Sequence, residues 1–140
     1  MPRHERLLVD SRLETLFKVH HWFKELCASL ETDWEWIRFY RDRLNIALAE
    51  GFTNAVRHAH AALPPDTPIA IDIAVKDDRI DIRIWDQGDP FDPNKLSEPE
   101  PGSLLQGGGY GWFLLRRVVD DVSYQRCENQ NCLEITQYRP

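Results

Sequence analysis

The segment ALAEGFTNAVRHAH, residues 47–60, places a carboxylate, a carboxamide and an imidazole four residues apart, at Glu50, Asn54 and His58. Proteins use these groups for proton transfer and for ion binding. On an α-helix a step of four residues advances about 6 Å and turns only about 40°, so the three side chains share one edge. Their neighbours are mostly apolar, and an idle carboxylate and amide are costly there. The spacing predicts a functional edge, and a solvated edge ending in a helix-end histidine is the simpler alternative.

A second candidate is DQGDPFDP, residues 86–93, which follows the alternating segment IDIRIW. Asp86 is expected where the strand leaves the sheet, and Gly88 would allow the backbone to turn tightly beside a ligand. A plain turn built from aspartate and glycine is the alternative, because both residue types favour turns.

The third candidate is GGGYGWFLL, residues 107–115, in which a glycine-rich segment leads into a helix. Exposed amides and the positive end of the helix dipole favour a phosphate group at such a place. The segment is neither a P-loop nor a Rossmann fingerprint, because no Lys-Ser/Thr pair follows the glycines and no strand directly precedes them. A hinge without a ligand is the alternative.

The remaining pattern predicts the elements that position these residues. The spacing of apolar residues predicts a first helix and a long second helix, and the two prolines should end the second. Alternation of apolar and polar residues around Asp77 and Asp78 predicts a β-hairpin. The predicted order is a strand before residue 10, helices over 13–30 and about 32–63, a hairpin over 68–88, a lid loop over 89–109, a helix, and two closing strands. This order predicts a single domain, residues 1–140, of the α+β class: a two-layer sandwich with the helices on one face of a mostly antiparallel sheet and a ligand pocket between the layers.

Composition excludes several classes of protein. The net charge is −6 and the 17 Lys and Arg residues form no basic run, which disfavours direct binding to nucleic acid. No segment is apolar for long enough to cross a bilayer and the N-terminus lacks a signal-peptide core, so the expected location is the cytoplasm, without membrane attachment. If residues 128–131 form a four-residue hairpin loop, Cys127 and Cys132 face each other, but in a reducing cytosol two free thiols are expected.

In their order and spacing, the three motifs resemble the nucleotide site of the GHKL (histidine-kinase-like) ATPase superfamily over about residues 47–122. EGFTNAVRHAH, DQGDPFDP and GGGYGWFLLRRVVDDV look most like the anti-sigma-factor serine/threonine kinases within that superfamily. The resemblance implies a Bergerat-type ATP-binding fold, with ATP and Mg²⁺ as ligands.

The resemblance also implies a role for each matching residue. It implies that Asn54 binds Mg²⁺, that Glu50 is the general base of phosphoryl transfer, and that Asp86 accepts a hydrogen bond from the adenine amino group. Gly88 would allow the turn beneath the base, and Thr136 would reach the adenine edge through water. The glycines that would close over the phosphates are Gly107, Gly108, Gly109 and Gly111.

The expected partners follow from the same family. The resemblance implies phosphorylation of an anti-anti-sigma (STAS-domain) protein, binding to a sigma factor, and a possible homodimer. Some of these kinases carry an arginine before the glycine box that reaches the γ-phosphate. This chain has Gln106 and Gly107 there, so Mg²⁺, backbone amides or Lys95 would stabilise the γ-phosphate.

A nucleotide-dependent binding module without catalysis is the main alternative function. A histidine kinase is disfavoured because HHWFKE, residues 20–25, lacks the acidic residue and proline of a phospho-accepting box.

Overall fold

Five β-strands and three α-helices make up the computed structural model, which describes residues 2–90 and 110–140. The strands are β1 (Arg3–Val9), β2 (Ile69–Val75), β3 (Arg79–Asp86), β4 (Asp121–Cys127) and β5 (Gln130–Tyr138). The helices are α1 (Leu16–Leu30), α2 (Arg41–Asn54) and α3 (Tyr110–Val118).

The strands form one antiparallel sheet in the order β1-β2-β3-β5-β4, so β3 lies at its centre. Side chains alternate between the two faces of a strand, and Ile80, Ile82 and Ile84 of β3 therefore all enter the core on one face. The helices pack on that face. The predicted α+β two-layer sandwich is confirmed.

The helices bury apolar residues at intervals of three or four, which places them on one side of each helix. In α1 these include Val19, Phe23 and Leu30, and in α2 they include Leu48 and Phe52. Because these side chains meet the isoleucines of the sheet in one core, α2 is held firmly across the central strands.

The other face of the sheet carries hydrogen-bonded polar side chains. Arg6 donates to both carboxylate oxygens of Asp72 at 3.1 Å, and the Trp85 indole N–H donates to the same carboxylate at 3.0 Å. On this face Thr136 donates a hydrogen bond of 2.7 Å to Asp81, its partner in the β3–β5 register. The two faces therefore differ in chemistry, and the apolar face shares the core with the described helices.

The prediction of one continuous second helix up to residue 63 is wrong. The chain forms a short 3-10 helix over Glu35–Phe39, then α2, and then a π-helical turn over Ala55–Ala59. In that turn the backbone N–H of His60 donates to the carbonyl of Ala55, five residues back, at 2.8 Å. The wider turn brings His60 to the buried side, where only 3% of it is exposed.

The closing hairpin also differs from its prediction. β4 and β5 are joined by a two-residue turn at Glu128 and Asn129, and Glu128 has a positive φ of 56°. Cys127 therefore pairs with Gln130, whereas Cys132 pairs with Gln125. The two cysteines are not opposite each other, and both are free thiols.

Only Asp89 and Pro90 of the predicted lid loop belong to the residues that the structure describes. Lys95, Gln106, Gly107, Gly108 and Gly109 lie outside the described residues. Within residues 2–90 and 110–140, none of the helices has the length and apolar content needed to cross a membrane.

Candidate functional site

A cavity of about 440 Å³ lies between the helical layer and the sheet. Its volume is within the range typical of small-molecule sites. It is lined by Gly51, Asn54, Ala55, His58, Ala59, Ala61, Ala62, Ile84, Asp86, Asp89, Pro90, Trp112, Tyr124 and Leu133. The lining is largely apolar, with a few polar groups from the first two sequence motifs.

The end of α2 supplies one wall of this cavity. Gly51 lets the helix approach the sheet closely, since a Cβ there would clash with the Ile84 side chain and lie 3.0 Å from Leu133 Cδ2. One turn later, the half-buried Asn54 lines the cavity, and its amide makes no hydrogen bond to any described residue. A carboxamide beside a cavity without a protein partner can serve as a ligand group.

Glu50 lies one turn before Asn54 on α2 and is half-buried. It does not line the cavity itself, and within residues 2–90 and 110–140 it has no hydrogen bond or ion-pair partner. His58 is exposed, although it contributes to the lining. The structure thus brings Asn54 and His58 to the cavity and leaves Glu50 beside it.

Asp86 ends β3 at the opposite wall and is buried, with 5% of the residue exposed. Its Oδ1 accepts two hydrogen bonds, from the Gly88 backbone N–H at 2.9 Å and from Asn131 Nδ2 at 2.7 Å. Its Oδ2 makes no hydrogen bond among the described residues. One carboxylate oxygen is therefore fixed in place, and the other remains able to accept a hydrogen bond from a ligand.

Two residues that the sequence motifs did not identify hold the turn after Asp86. Asn131 is fully buried, and its Nδ2 also donates to the carbonyls of Gly88 at 3.3 Å and Asp89 at 3.0 Å. Arg126 Nη1 donates to the Gly88 carbonyl at 2.7 Å and to Asn131 Oδ1 at 3.0 Å. The closing hairpin thus fixes the Asp86–Asp89 turn from one side. Only the strand registers, which pair Asp86 with Asn131 and Asn131 with Arg126, could have revealed these two residues.

Gly88 is needed because the turn presses against the end of the π-helical segment. A Cβ at this position would clash with the Ala59 carbonyl oxygen and lie 2.9 Å from Ala59 Cα. Those atoms belong to the backbone and cannot move aside without shifting the helix end.

We therefore expect Gly88→Ala to lower the free energy of unfolding by about 1–3 kcal/mol, the usual range for overpacking. Urea unfolding followed by circular dichroism measures the change. Gly51→Ala is the matched control, because its Cβ would mainly meet the movable ends of the Ile84 and Leu133 side chains. A smaller loss for Gly88→Ala than for Gly51→Ala would contradict the proposed backbone contact.

Tyr124 and Trp112 complete the walls. Burial and the nearby Asp86 carboxylate raise the pKa of Tyr124 well above its ordinary value, so the phenol stays protonated. Trp112 is buried in α3, the helix that begins at Tyr110 and contains Gly111 in its first turn. A helix thus begins within the GGGYGWFLL motif, as predicted, and its Trp112 lines the cavity.

Thr136 lies away from the cavity. It is buried on the opposite face of the sheet, where its hydroxyl donates to Asp81. The structure therefore brings Asn54 and Asp86 to one cavity, with Gly88 hydrogen-bonded to Asp86, and places Thr136 away from them.

Comparison with known proteins identifies related chains. A family model described as a histidine kinase-like ATPase domain matches residues 9–137. The chain is 36% identical to the serine-protein kinase RsbW of Oceanobacillus iheyensis over 56% of its own length and 54% of that protein. It is 37% identical to RsbW of Bacillus licheniformis over 59% and 55% of the two lengths. The alignments thus span about half of these relatives.

A longer alignment relates the chain to the serine/threonine-protein kinase BtrW of Bordetella bronchiseptica. The two are 33% identical over 74% of each protein. Among solved structures, that of the RsbU and RsbW domains of a Mycobacterium tuberculosis protein has a TM-score of 0.64. It covers all of this chain and 33% of that one, at 17% identity, so this likeness concerns the fold.

Proposed function

Because the chain belongs to the histidine kinase-like ATPase domain family, we propose that it binds ATP and transfers the γ-phosphoryl group to a serine or threonine of a partner protein. The observation that carries this proposal is the shared cavity. Among the described residues, it joins an aspartate with one oxygen that accepts no hydrogen bond, Asp86, to an amide that makes none, Asn54. Relatives named as serine-protein kinases support the choice of reaction.

The adenine base is assigned to the Asp86 end of the cavity. The exocyclic amino group of adenine is a donor, and Asp86 Oδ2 is an acceptor without a protein partner in the described part of the chain. The apolar side chains Ile84 and Leu133 would pack against the base. A base with a carbonyl at this position would set two acceptors against each other, at the cost of an unpaired buried group.

The phosphate groups and Mg²⁺ are assigned to the Asn54 end. Within residues 2–90 and 110–140, no three His, Cys, Asp or Glu side chains are placed to hold a metal ion. A magnesium ion would then take the Asn54 oxygen together with phosphate oxygens and water, which is the ligand set that Mg²⁺ prefers. Bound there, Mg²⁺ would neutralise charge that develops on the phosphates. Gly107, Gly108, Gly109 and Gly111 remain our proposed phosphate-binding residues.

Glu50 is assigned as the general base that accepts the proton of the attacking hydroxyl. Its position beside the cavity, one turn from Asn54, suits a group that contacts the incoming protein substrate and not the bound nucleotide. It is half-buried without a partner among the described residues, so its carboxylate is available to a hydroxyl.

The partner is proposed to be an anti-anti-sigma protein with a STAS domain, and this chain would bind a sigma factor when that partner is phosphorylated. RsbW-type names among the relatives support this assignment. The same proposal includes a single domain over residues 1–140, a possible homodimer and a cytoplasmic location. It includes no direct contact with nucleic acid.

Incubation with γ-labelled ATP and the cognate partner tests the proposed kinase activity. Label on the partner supports a kinase, and nucleotide binding without any transfer would favour a regulatory binding module.

We expect Asn54→Ala to weaken Mg-ATP binding about 10- to 100-fold while leaving binding of metal-free ATP unchanged, because only the magnesium ligand is removed. Titration calorimetry with and without magnesium measures both affinities.

Asn45→Ala is the matched control for that experiment. Asn45 lies on the same helix, but its side chain is 2.5 Å from His20 Nδ1 on α1. Its loss should not change Mg-ATP affinity. Equal weakening of ATP binding in the presence and absence of magnesium would contradict the role of Asn54 as a metal ligand.

A further inference from the structure

His60 contacts the turn after Asp86 from the side opposite Asn131. The backbone N–H of Gln87, the residue between Asp86 and Gly88, donates a hydrogen bond of 2.8 Å to His60 Nε2. On the other side of the ring, His60 Nδ1 lies 2.5 Å from Ser11 Oγ, and the Ser11 hydroxyl donates to the Thr67 carbonyl at 2.5 Å.

These contacts define the protonation state of the imidazole. A backbone N–H can only donate, so Nε2 must be the unprotonated nitrogen. The single hydroxyl proton of Ser11 is directed to Thr67, so Nδ1 must carry the proton that joins the ring to Ser11. The neutral Nδ1–H tautomer therefore satisfies every polar atom in this chain of hydrogen bonds. An imidazolium would place two donors against each other at Gln87.

We propose that His60 is a positioning residue for the nucleotide site: its neutral Nδ1–H form holds the Asp86–Gly88 turn in place, and its protonation releases that turn. This inference rests on the proposed adenine site. The turn is then fixed on both sides, by Asn131 and Arg126 from the closing hairpin and by His60 from the helical layer.

The surroundings of the ring favour the neutral form. Burial lowers the pKa of His60 below its ordinary value of 6.5, and the Asp86 carboxylate opposes this effect in part. The other groups in contact, Ser11, Thr67 and Gln87, are uncharged. Since the unfolded chain takes up the proton first, this histidine contributes stability that is complete above pH 6.5 and is lost as the pH falls through its folded pKa.

Binding of Mg-ADP between pH 5.5 and 8, measured by calorimetry, tests the inference on three variants. His60→Gln offers an amide oxygen in place of Nε2 and does not titrate, whereas His60→Phe keeps a ring and removes the acceptor. His21→Gln is the control, because His21 is an exposed histidine on α1 paired with Glu25. Protonation of the ligand itself cancels in the ratio of variant to wild-type Kd at each pH.

The expected result has two parts. His60→Phe should bind Mg-ADP about tenfold more weakly at pH 7.5, the effect of one lost hydrogen bond to the turn. The wild type should lose more affinity than His60→Gln does as the pH falls, because only the wild-type ring takes up a proton, while His21→Gln follows the wild type. Parallel pH profiles for wild type and His60→Gln would overturn the inference and leave the proposed ATP site intact. Absence of nucleotide binding by folded wild type at every pH would instead overturn the proposed function.

Nitrogen-15 NMR of the ring provides a readout that does not depend on any variant folding. Of the five histidines, His60 should show the Nδ1–H tautomer at neutral pH and should protonate below its ordinary pKa of 6.5. An Nε2–H tautomer, or protonation of the His60 ring at or above its ordinary pKa of 6.5, would overturn the inference.

Discussion

Replacement of Asp86 by asparagine is expected to weaken ATP binding about 100-fold, or about 2.7 kcal/mol. The asparagine oxygen can keep the hydrogen bonds from Gly88 and Asn131, so the turn retains its support. The new NH₂ group replaces Oδ2, however, and it would meet the adenine amino group as a second donor. Two buried donors without an acceptor cost more than a lost hydrogen bond alone. Calorimetry with ATP measures the loss.

The same substitution should change the choice of base. Inosine triphosphate carries a carbonyl where ATP carries its amino group, so the asparagine NH₂ can donate to it. The preference of the wild type for ATP over inosine triphosphate should therefore fall sharply in Asp86→Asn. Unchanged preference would show that this residue does not contact the base.

Asp81→Asn is the matched control for the experiment on Asp86. Asp81 lies on the same strand and is similarly buried, but it faces the polar side of the sheet and accepts a hydrogen bond from Thr136. Its substitution should lower the melting temperature without changing the choice of base. If both variants lose ATP affinity to the same extent, the loss reflects destabilisation of the sheet and not recognition of adenine.

The fold could be predicted largely because its signals are local. Alternation along β2 and β3, with the Asp77-Asp78 turn between them, gave the hairpin, and the spacing of Val19, Phe23 and Leu30 gave α1. The positions of Asn54 and Asp86 on one cavity were likewise predictable, since each belongs to a short motif at the end of an element.

The predictions were wrong where the position of a residue depends on the register between strands or on a change of helical period. Thr136 was assigned to the site, but β5 alternates, and Leu133 and Ile135 occupy the core face that Thr136 would have needed. A regular α-helix through residue 59 would have placed His60 elsewhere, and nothing in the local sequence indicates the π-helical turn. Asn131 reaches Asp86 across 45 positions in sequence, so only the assembled sheet brings them together.

Substitution of Glu50 by glutamine is expected to slow phosphoryl transfer about 10²- to 10⁴-fold, the usual contribution of a general base. The amide has the same shape but cannot accept the proton of the attacking hydroxyl. ATP affinity should change less than threefold, because Glu50 lies beside the cavity and does not line it. Single-turnover transfer from γ-labelled ATP to the cognate partner measures the rate, and calorimetry measures the affinity.

Two further variants distinguish proton transfer from other roles of Glu50. Glu50→Asp keeps the carboxylate on a shorter side chain, so its rate should fall between those of the wild type and Glu50→Gln. Glu25→Gln alters an exposed glutamate on α1 that pairs with His21, and its rate should equal that of the wild type. If Glu50→Gln instead transfers phosphate at the normal rate, another group must take the proton. If its rate and its ATP affinity fall by the same factor, Glu50 supports nucleotide binding, because a base acts only in the chemical step.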